Sequence, residues 1–360
     1  MKYIDEFRNP ELARKLVELI HRMSTRPVKL MEFCGGHTHA ILKYGIRQLM
    51  PPTVKMLSGP GCPVCVTDNQ DLDFALALAH LPDVIITTFG DMMRVPGSYS
   101  SLFEAKAEGA DVRMVYSTLD ALEIARANPG KKVVFLGVGF ETTAPTVAAS
   151  ILQAQEEGIR NYFVLSMHKL TPPATKAILD SGEVRLDGVI GPGHVTTVIG
   201  WKAWEFLPQD YGVPCAVAGF EPLDILKAIA ELVRMLEEGS PAVVNAYTRS
   251  VTAEGNLRAQ EIMYRVFEVG PARWRGLGEL PASGLLIREE FAEFDARRNF
   301  QVEVKPPREH KGCRCGDILR GVAAPPDCPL FRRVCTPENP MGPCMVSSEG
   351  ACAAYFAYGE

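Results

Sequence analysis

"KVVFLGVGFE", residues 132–141, is a run of branched and aromatic residues that breaks at a glycine turn and ends on an acid. It is apolar at successive positions rather than alternate ones, the pattern of a short strand covered on both faces. The same design recurs at near-regular spacing. Before it come "KLMEFCGG" (29–36), "VKMLSGPGCP" (54–63), "VIITTFGD" (84–91) and "VRMVYS" (112–117). After it come "YFVLSMHK" (162–169), "DGVIGPGH" (187–194) and "CAVAGFEP" (215–222). Helix-like stretches such as "NQDLDFALALAHL" (69–81) and "TVAASILQAQEEG" (146–158) lie between them. Strands alternating with helices predict βαβ units and parallel sheets.

Four runs precede residue 125 and four follow residue 130, so the expected fold is α/β: two similar parallel-sheet domains facing a shared cleft. The Pro-Gly turn in "ANPGKK" (127–132) sets the first boundary, giving domains 1–126 and 127–240. Past residue 224 the pattern becomes helical ("LDILKAIAELVRMLEEG", "AQEIMYRVFEV") and then loop-rich and cysteine-rich, a third unit over 241–360.

Composition narrows the function classes. The chain has 360 residues, 47% apolar and 22% charged, with a formal charge of −5. That charge disfavours nucleic acid or an anionic membrane as partner. No apolar run approaches the roughly 18 residues of a membrane span. Charges interrupt the N-terminal segment, so it reads as an amphipathic helix, with Leu12, Leu16, Leu19 and Met23 on one face, rather than a signal peptide. The expected compartment is the cytoplasm. Ten cysteines there point to metal or redox chemistry, because disulfides are rare in that setting.

In parallel sheets, ligands sit beyond the carboxyl ends of the strands. Cys34 and His37, Cys62 and Cys65, Asp91, Glu141, His168, His194 and Glu221 all fall at such ends. "FCGGHTH" (33–39) offers one thiol and two imidazoles, with Gly35 and Gly36 leaving room beside Cys34. No further ligand sits at zincin spacing, so a hydrolytic zinc site is not expected. "GPGCPVC" (59–65) places Cys62 and Cys65 as C-x-x-C at a strand-to-helix turn, where a helix N-terminus favours the thiolate. Such a pair cycles between dithiol and disulfide or binds a soft metal. In the tail, gaps of fourteen, six and sixteen residues separate Cys313, Cys328, Cys335 and Cys352. Structural zinc prefers two close pairs, whereas four thiolates spread through Pro/Gly loops suit a [4Fe–4S] cluster. Zinc stays open as an alternative, as do Cys315 for Cys313 and Cys344 for Cys352. Glu141 reads as an acid or base at a strand tip, and His194 closes "GPGH".

"FCGGHTH", "GPGCPVC", "TFGDMMRVPG", "GFETTAP", "GPGHVTTVIG", "AGFEPLD" and "MVSSEGACAAY" occur together and in order. In this the chain resembles the HypD family of [NiFe]-hydrogenase maturation factors, from about residue 30 to the end. The resemblance implies a C-terminal [4Fe–4S] domain beside two α/β domains. It further implies a scaffold on which, with a HypC partner, an Fe(II) ion receives its ligands as Fe(CN)₂CO, the cyanide being delivered by HypE. On that pattern Cys34 holds the iron beside His37, and Cys62/Cys65 is the redox pair. An electron relay from the tail through Cys62/Cys65 to Cys34 is expected, with Glu141 and His194 placing ligands or protons from the facing domain. Such a protein is an assembly scaffold with redox activity rather than a conventional turnover enzyme. The rival reading is a stand-alone iron–sulfur thiol/disulfide oxidoreductase, which needs the C-x-x-C and cluster but not CGGHTH.

Overall fold

The structure, a computed structural model, describes residues 5–359. All eight expected runs are strands: β1 (Val28–Glu32), β2 (Val54–Ser58), β3 (Val84–Thr88), β4 (Asp111–Met114), β5 (Lys132–Gly137), β6 (Tyr162–Ser166), β7 (Gly188–Pro192) and β8 (Cys215–Ala218). Three more follow: β9 (Val243–Asn245), β10 (Phe267–Trp274) and β11 (Gly278–Ile287). Two parallel sheets result, ordered β2-β1-β7-β8-β9 and β4-β3-β5-β6, with β10-β11 a separate antiparallel hairpin. In β5, Val133 through Leu136 are wholly buried, as a strand covered on both faces requires.

Sheet membership departs from the expected halves. β1, paired with β2 on one side, pairs on the other with β7, which begins at residue 188, while β3 to β6 form a sheet of their own from the middle of the chain. The turn at 127–132 therefore falls inside the second sheet, between β4 and β5, and the 126/127 boundary does not separate the sheets. Every run carries the same apolar pattern, and that pattern does not encode which strand lies beside which. The pairing of Leu30 with Gly188 is non-local and leaves no periodic trace. The region expected to be helical and then loop-rich also holds the β10–β11 hairpin: the helix Leu257–Val266 ends where "FEV" turns extended. The remaining tail is loop-rich as expected, with short helices at Cys315–Leu319 and Ala351–Tyr358.

Both sheets reverse their strand order beside their first strand, between β1 and β7 in one and between β3 and β5 in the other. These are the crevices where α/β sheets take ligands. The N-terminal segment is the expected helix, Pro10–Met23, capped by Asn9, whose side chain accepts from Glu11 N and Leu12 N. It packs on the helix Pro222–Glu238, outside the first sheet. No helix among the described residues is long and apolar enough to cross a membrane.

Candidate thiol-rich redox and metal-handling site

Cys34 follows β1 directly and Cys62 follows β2, and β1 and β2 are parallel neighbours, so both emerge at the same edge. Gly35 N donates to Gly61 O at 2.8 Å. A Cβ on Gly61 would collide with the Cys34 backbone, so only glycine lets the two loops touch here. Cys34 is the N-cap of the helix Gly35–Lys43, and Cys62 that of the turn Pro63–Val66, where its Sγ accepts from Cys65 N at 3.2 Å. Cys62 and Cys65 are joined as a disulfide.

The Cys34 thiol is partly exposed, yet it is held up at about 12. Loss of bulk water comes first among the causes, followed by the carboxyls of Glu349 and Glu32. A thiol held neutral by nearby acids ionises when a cation arrives, because the ion's own charge reverses the local balance. Glu32 is buried and raised to about 8 by that burial. Its carboxyl accepts from Cys34 N at 2.9 Å and from the Thr38 hydroxyl. Glu349 reaches in from the tail: a Cβ on Gly35 would stand 2.5 Å from the Glu349 Cβ.

His37 Nε2 donates to Gly219 O at 2.9 Å and lies 3.2 Å from Ala218 O. That fixes the proton on Nε2 and leaves Nδ1 as a bare lone pair, buried and without a partner. Burial pushes His37 down to about 4, so its ring is neutral. Phe220 stacks on His37 at 4.6 Å between ring centroids and on His194 at 3.9 Å. His37 and His194 thus share one aromatic platform at the β1/β7 crevice. His39 instead points its Nδ1 at Ser348 O, 3.2 Å away, and so ties its helix to the tail.

Other strand-end residues are occupied elsewhere. Glu141 is buried and accepts from Thr171 N at 2.8 Å and Thr171 Oγ1 at 2.9 Å, so it anchors the start of the helix Thr171–Ser181. Desolvation raises it to about 7. His168 turns toward the hairpin, where its ring lies 5.4 Å from that of Phe267. Glu221 forms a two-point pair with Arg8 at 2.5 and 2.9 Å. Asp91, just past β3 of the second sheet, acts electrostatically on Glu349 and helps to raise it, after the effect of burial.

The tail reaches the same edge. Cys65 Sγ lies 3.9 Å from Pro343 O, and the next residue, Cys344, places its Sγ 2.6 Å from that of Cys315. Cys313 feels the charge of Cys315 first and then those of Cys352 and Cys328, and Cys335 feels those of Cys352 and Cys328, so the tail thiols share one neighbourhood. Among the described residues no three His, Cys, Asp or Glu side chains converge on a single-ion site. Thiols gathered in one neighbourhood are donors that either an iron–sulfur cluster or zinc takes. Sequence reasoning missed Glu32, Glu349, Phe220 and the Cys315–Cys344 pairing. An acid at the last position of a buried strand, in "LMEFCGG", was the available signal for Glu32.

The class of protein is thus a two-sheet α/β protein with a thiol and a C-x-x-C pair at one sheet edge, touched there by a cysteine-rich tail. The family described as "HypD: Hydrogenase formation hypA family" matches residues 11–359. The hydrogenase expression/formation protein HupD of Azotobacter chroococcum mcd 1 is 54% identical over 369 residues, covering 100% of this chain and 97% of the relative. The hydrogenase maturation factor HypD of Azotobacter vinelandii is likewise 54% identical over 369 residues, with the same coverage. That of Escherichia coli (strain K12) is 43% identical over 366 residues, covering 99% of this chain and 98% of the relative. The chain belongs to the HypD family of hydrogenase maturation factors.

Proposed function

We propose that this protein is the scaffold on which the iron of a [NiFe]-hydrogenase receives cyanide and carbonyl, working with a HypC partner and taking cyanide from HypE. The carrying observation is the meeting of Cys34, the Cys62–Cys65 pair and the tail cysteines at one edge of the first sheet. Iron is the cargo, and Cys34 is its thiolate ligand, soft enough to keep Fe(II) while strong-field ligands are added. The bare Nδ1 of His37 is a second donor at the same crevice.

Cyanide release from a carrier thiocyanate cleaves its S–C bond and needs two electrons. Cys62 and Cys65 as a dithiol supply them: R–S–C≡N plus two thiols yields R–SH, cyanide, a proton and the Cys62–Cys65 disulfide. The disulfide then needs two electrons and two protons to reset. The Cys315–Cys344 pair, next to Pro343, is the nearest thiol pair on the tail side. A [4Fe–4S] cluster held by Cys313, Cys328, Cys335 and Cys352 would supply single electrons there. Glu141 takes no part in this scheme, because its carboxyl is held by Thr171 N and Oγ1.

The decisive experiment is anaerobic co-purification with the small partner, followed by infrared and visible spectroscopy. Cyanide and carbonyl stretches that vanish in Cys34→Ala support the scaffold. Cluster absorption with no such stretches under any condition favours the stand-alone oxidoreductase.

A further inference from the structure

We propose that the cavity enclosed by the end of β6, the β10–β11 hairpin and the start of the helix Asn69–Ala79 binds a small oxyanion, with Lys169 as its buried cation. The cavity, about 350 Å³, is of small-ligand size. Three independent features converge on it.

Lys169 lines the cavity with its side chain only 2% exposed. A buried ammonium needs acceptors for three N–H donors. Among the described residues two carboxylates act on it, Asp71, whose Oδ2 lies 3.7 Å away, beyond hydrogen-bond length, and Asp68 at longer range. Asp71 is already engaged by Arg297, whose Nη2 lies 2.5 Å from Oδ1. The ring of Trp274, 5.9 Å away, covers one side and accepts no conventional hydrogen bond. No side-chain acceptor lies within 3.5 Å of the ammonium among the described residues, and the cavity beside it has room for one.

The second feature is charge. Three cations, Lys169, Arg273 and Arg297, line the cavity beside Asp71 and Glu279, with Asp68 behind them. Arg273 is only loosely held, with Nε 3.8 Å from Asp68 Oδ1. The third is position. Ser166 to Lys169 continue from the carboxyl end of β6, and Gln70 and Asp71 belong to the first turn of an 11-residue helix. Strand carboxyl ends and helix N-termini are both places where anions bind. The shared chemistry is a compact anion with two or more acceptor oxygens, a phosphate or a carboxylate. The lining contains none of the thiol-site residues, and the proposal does not depend on the proposed scaffold role.

The test is isothermal titration of the full chain with inorganic phosphate and, separately, with acetate, against chloride at equal ionic strength. Saturable one-to-one binding of one oxyanion and none of chloride is expected, and the arm that saturates identifies the class. Arg273→Ala, on a half-exposed hairpin position, should weaken binding about tenfold with unchanged circular dichroism, and Lys169→Met should abolish it. If Lys169→Met does not fold, Arg273→Ala and Arg297→Ala decide. No saturable oxyanion binding, or binding that both arginine variants leave intact, overturns the proposal.

Discussion

Cys65 Sγ stands 3.9 Å from the carbonyl oxygen of Pro343, so the C-x-x-C and the cysteine-rich tail touch across 278 residues of sequence. If this contact is the route by which the pair is reset, Cys344→Ser should leave the Cys62–Cys65 disulfide oxidised under dithionite, while the parent chain is reduced. Thiol labelling followed by mass spectrometry reads the outcome directly. Equal reduction in both proteins would remove the tail from the route.

Gly35→Ala should be destabilising although alanine favours helices. Its Cβ would stand 2.5 Å from the Glu349 Cβ and carbonyl oxygen, so the tail must move. Overpacking of this kind costs about 1–3 kcal/mol. A thermal melt no lower than that of the parent chain would show that the tail yields freely there.

Glu141 gives a pH signature. Its folded value is raised to about 7 from an ordinary 4.5, chiefly by desolvation. The folded state therefore holds the proton more tightly than the unfolded chain. Its contribution to stability is fully present below the ordinary value and is lost as pH rises through about 7. Relative to Glu141→Gln, the parent chain should lose stability across that window and run parallel to it on either side. Denaturant titrations at a series of pH values measure the difference, and a pH-independent gap would contradict it.

His37 should be a neutral ring protonated at Nε2 across the physiological range, since it is pushed down to about 4 and donates to Gly219. Nitrogen-15 NMR of labelled histidine distinguishes the tautomers. Phe220→Leu should disturb the resonances of both His37 and His194, because both rings stack on Phe220. A change at only one ring would contradict the shared platform.

Each strand of the two parallel sheets up to β8 was legible, because a strand buried on both faces writes itself as an unbroken apolar run. Neighbours were not legible. β1 and β3 carry equivalent patterns, yet one pairs with β7 and the other with β5. The hairpin was hidden by helix-like spacing in "AQEIMYRVFEV", which fits the helix only to Val266. At the site, Cys34, His37, Cys62, Cys65 and His194 collect at one edge because all follow adjacent strands of the first sheet. Glu141 follows an equally suggestive strand end, and its partner Thr171, thirty residues on, is what draws it away. A strand-end acid and a helix anchor look alike until the helix is placed.

The interleaving of the two sheets sets an order of events during synthesis. β1 and β2 are made first, but their sheet waits for β7, β8 and β9, after the whole second sheet has been translated. Glu349, which closes over Gly35, arrives only near the end of the chain. Until then Cys34 has neither Phe220 nor Glu349 beside it, and contacts of such sequence separation form slowly. A ribosome-bound chain cannot build this edge early. The crevice around Cys34 is complete only once the chain through Glu349 has been made.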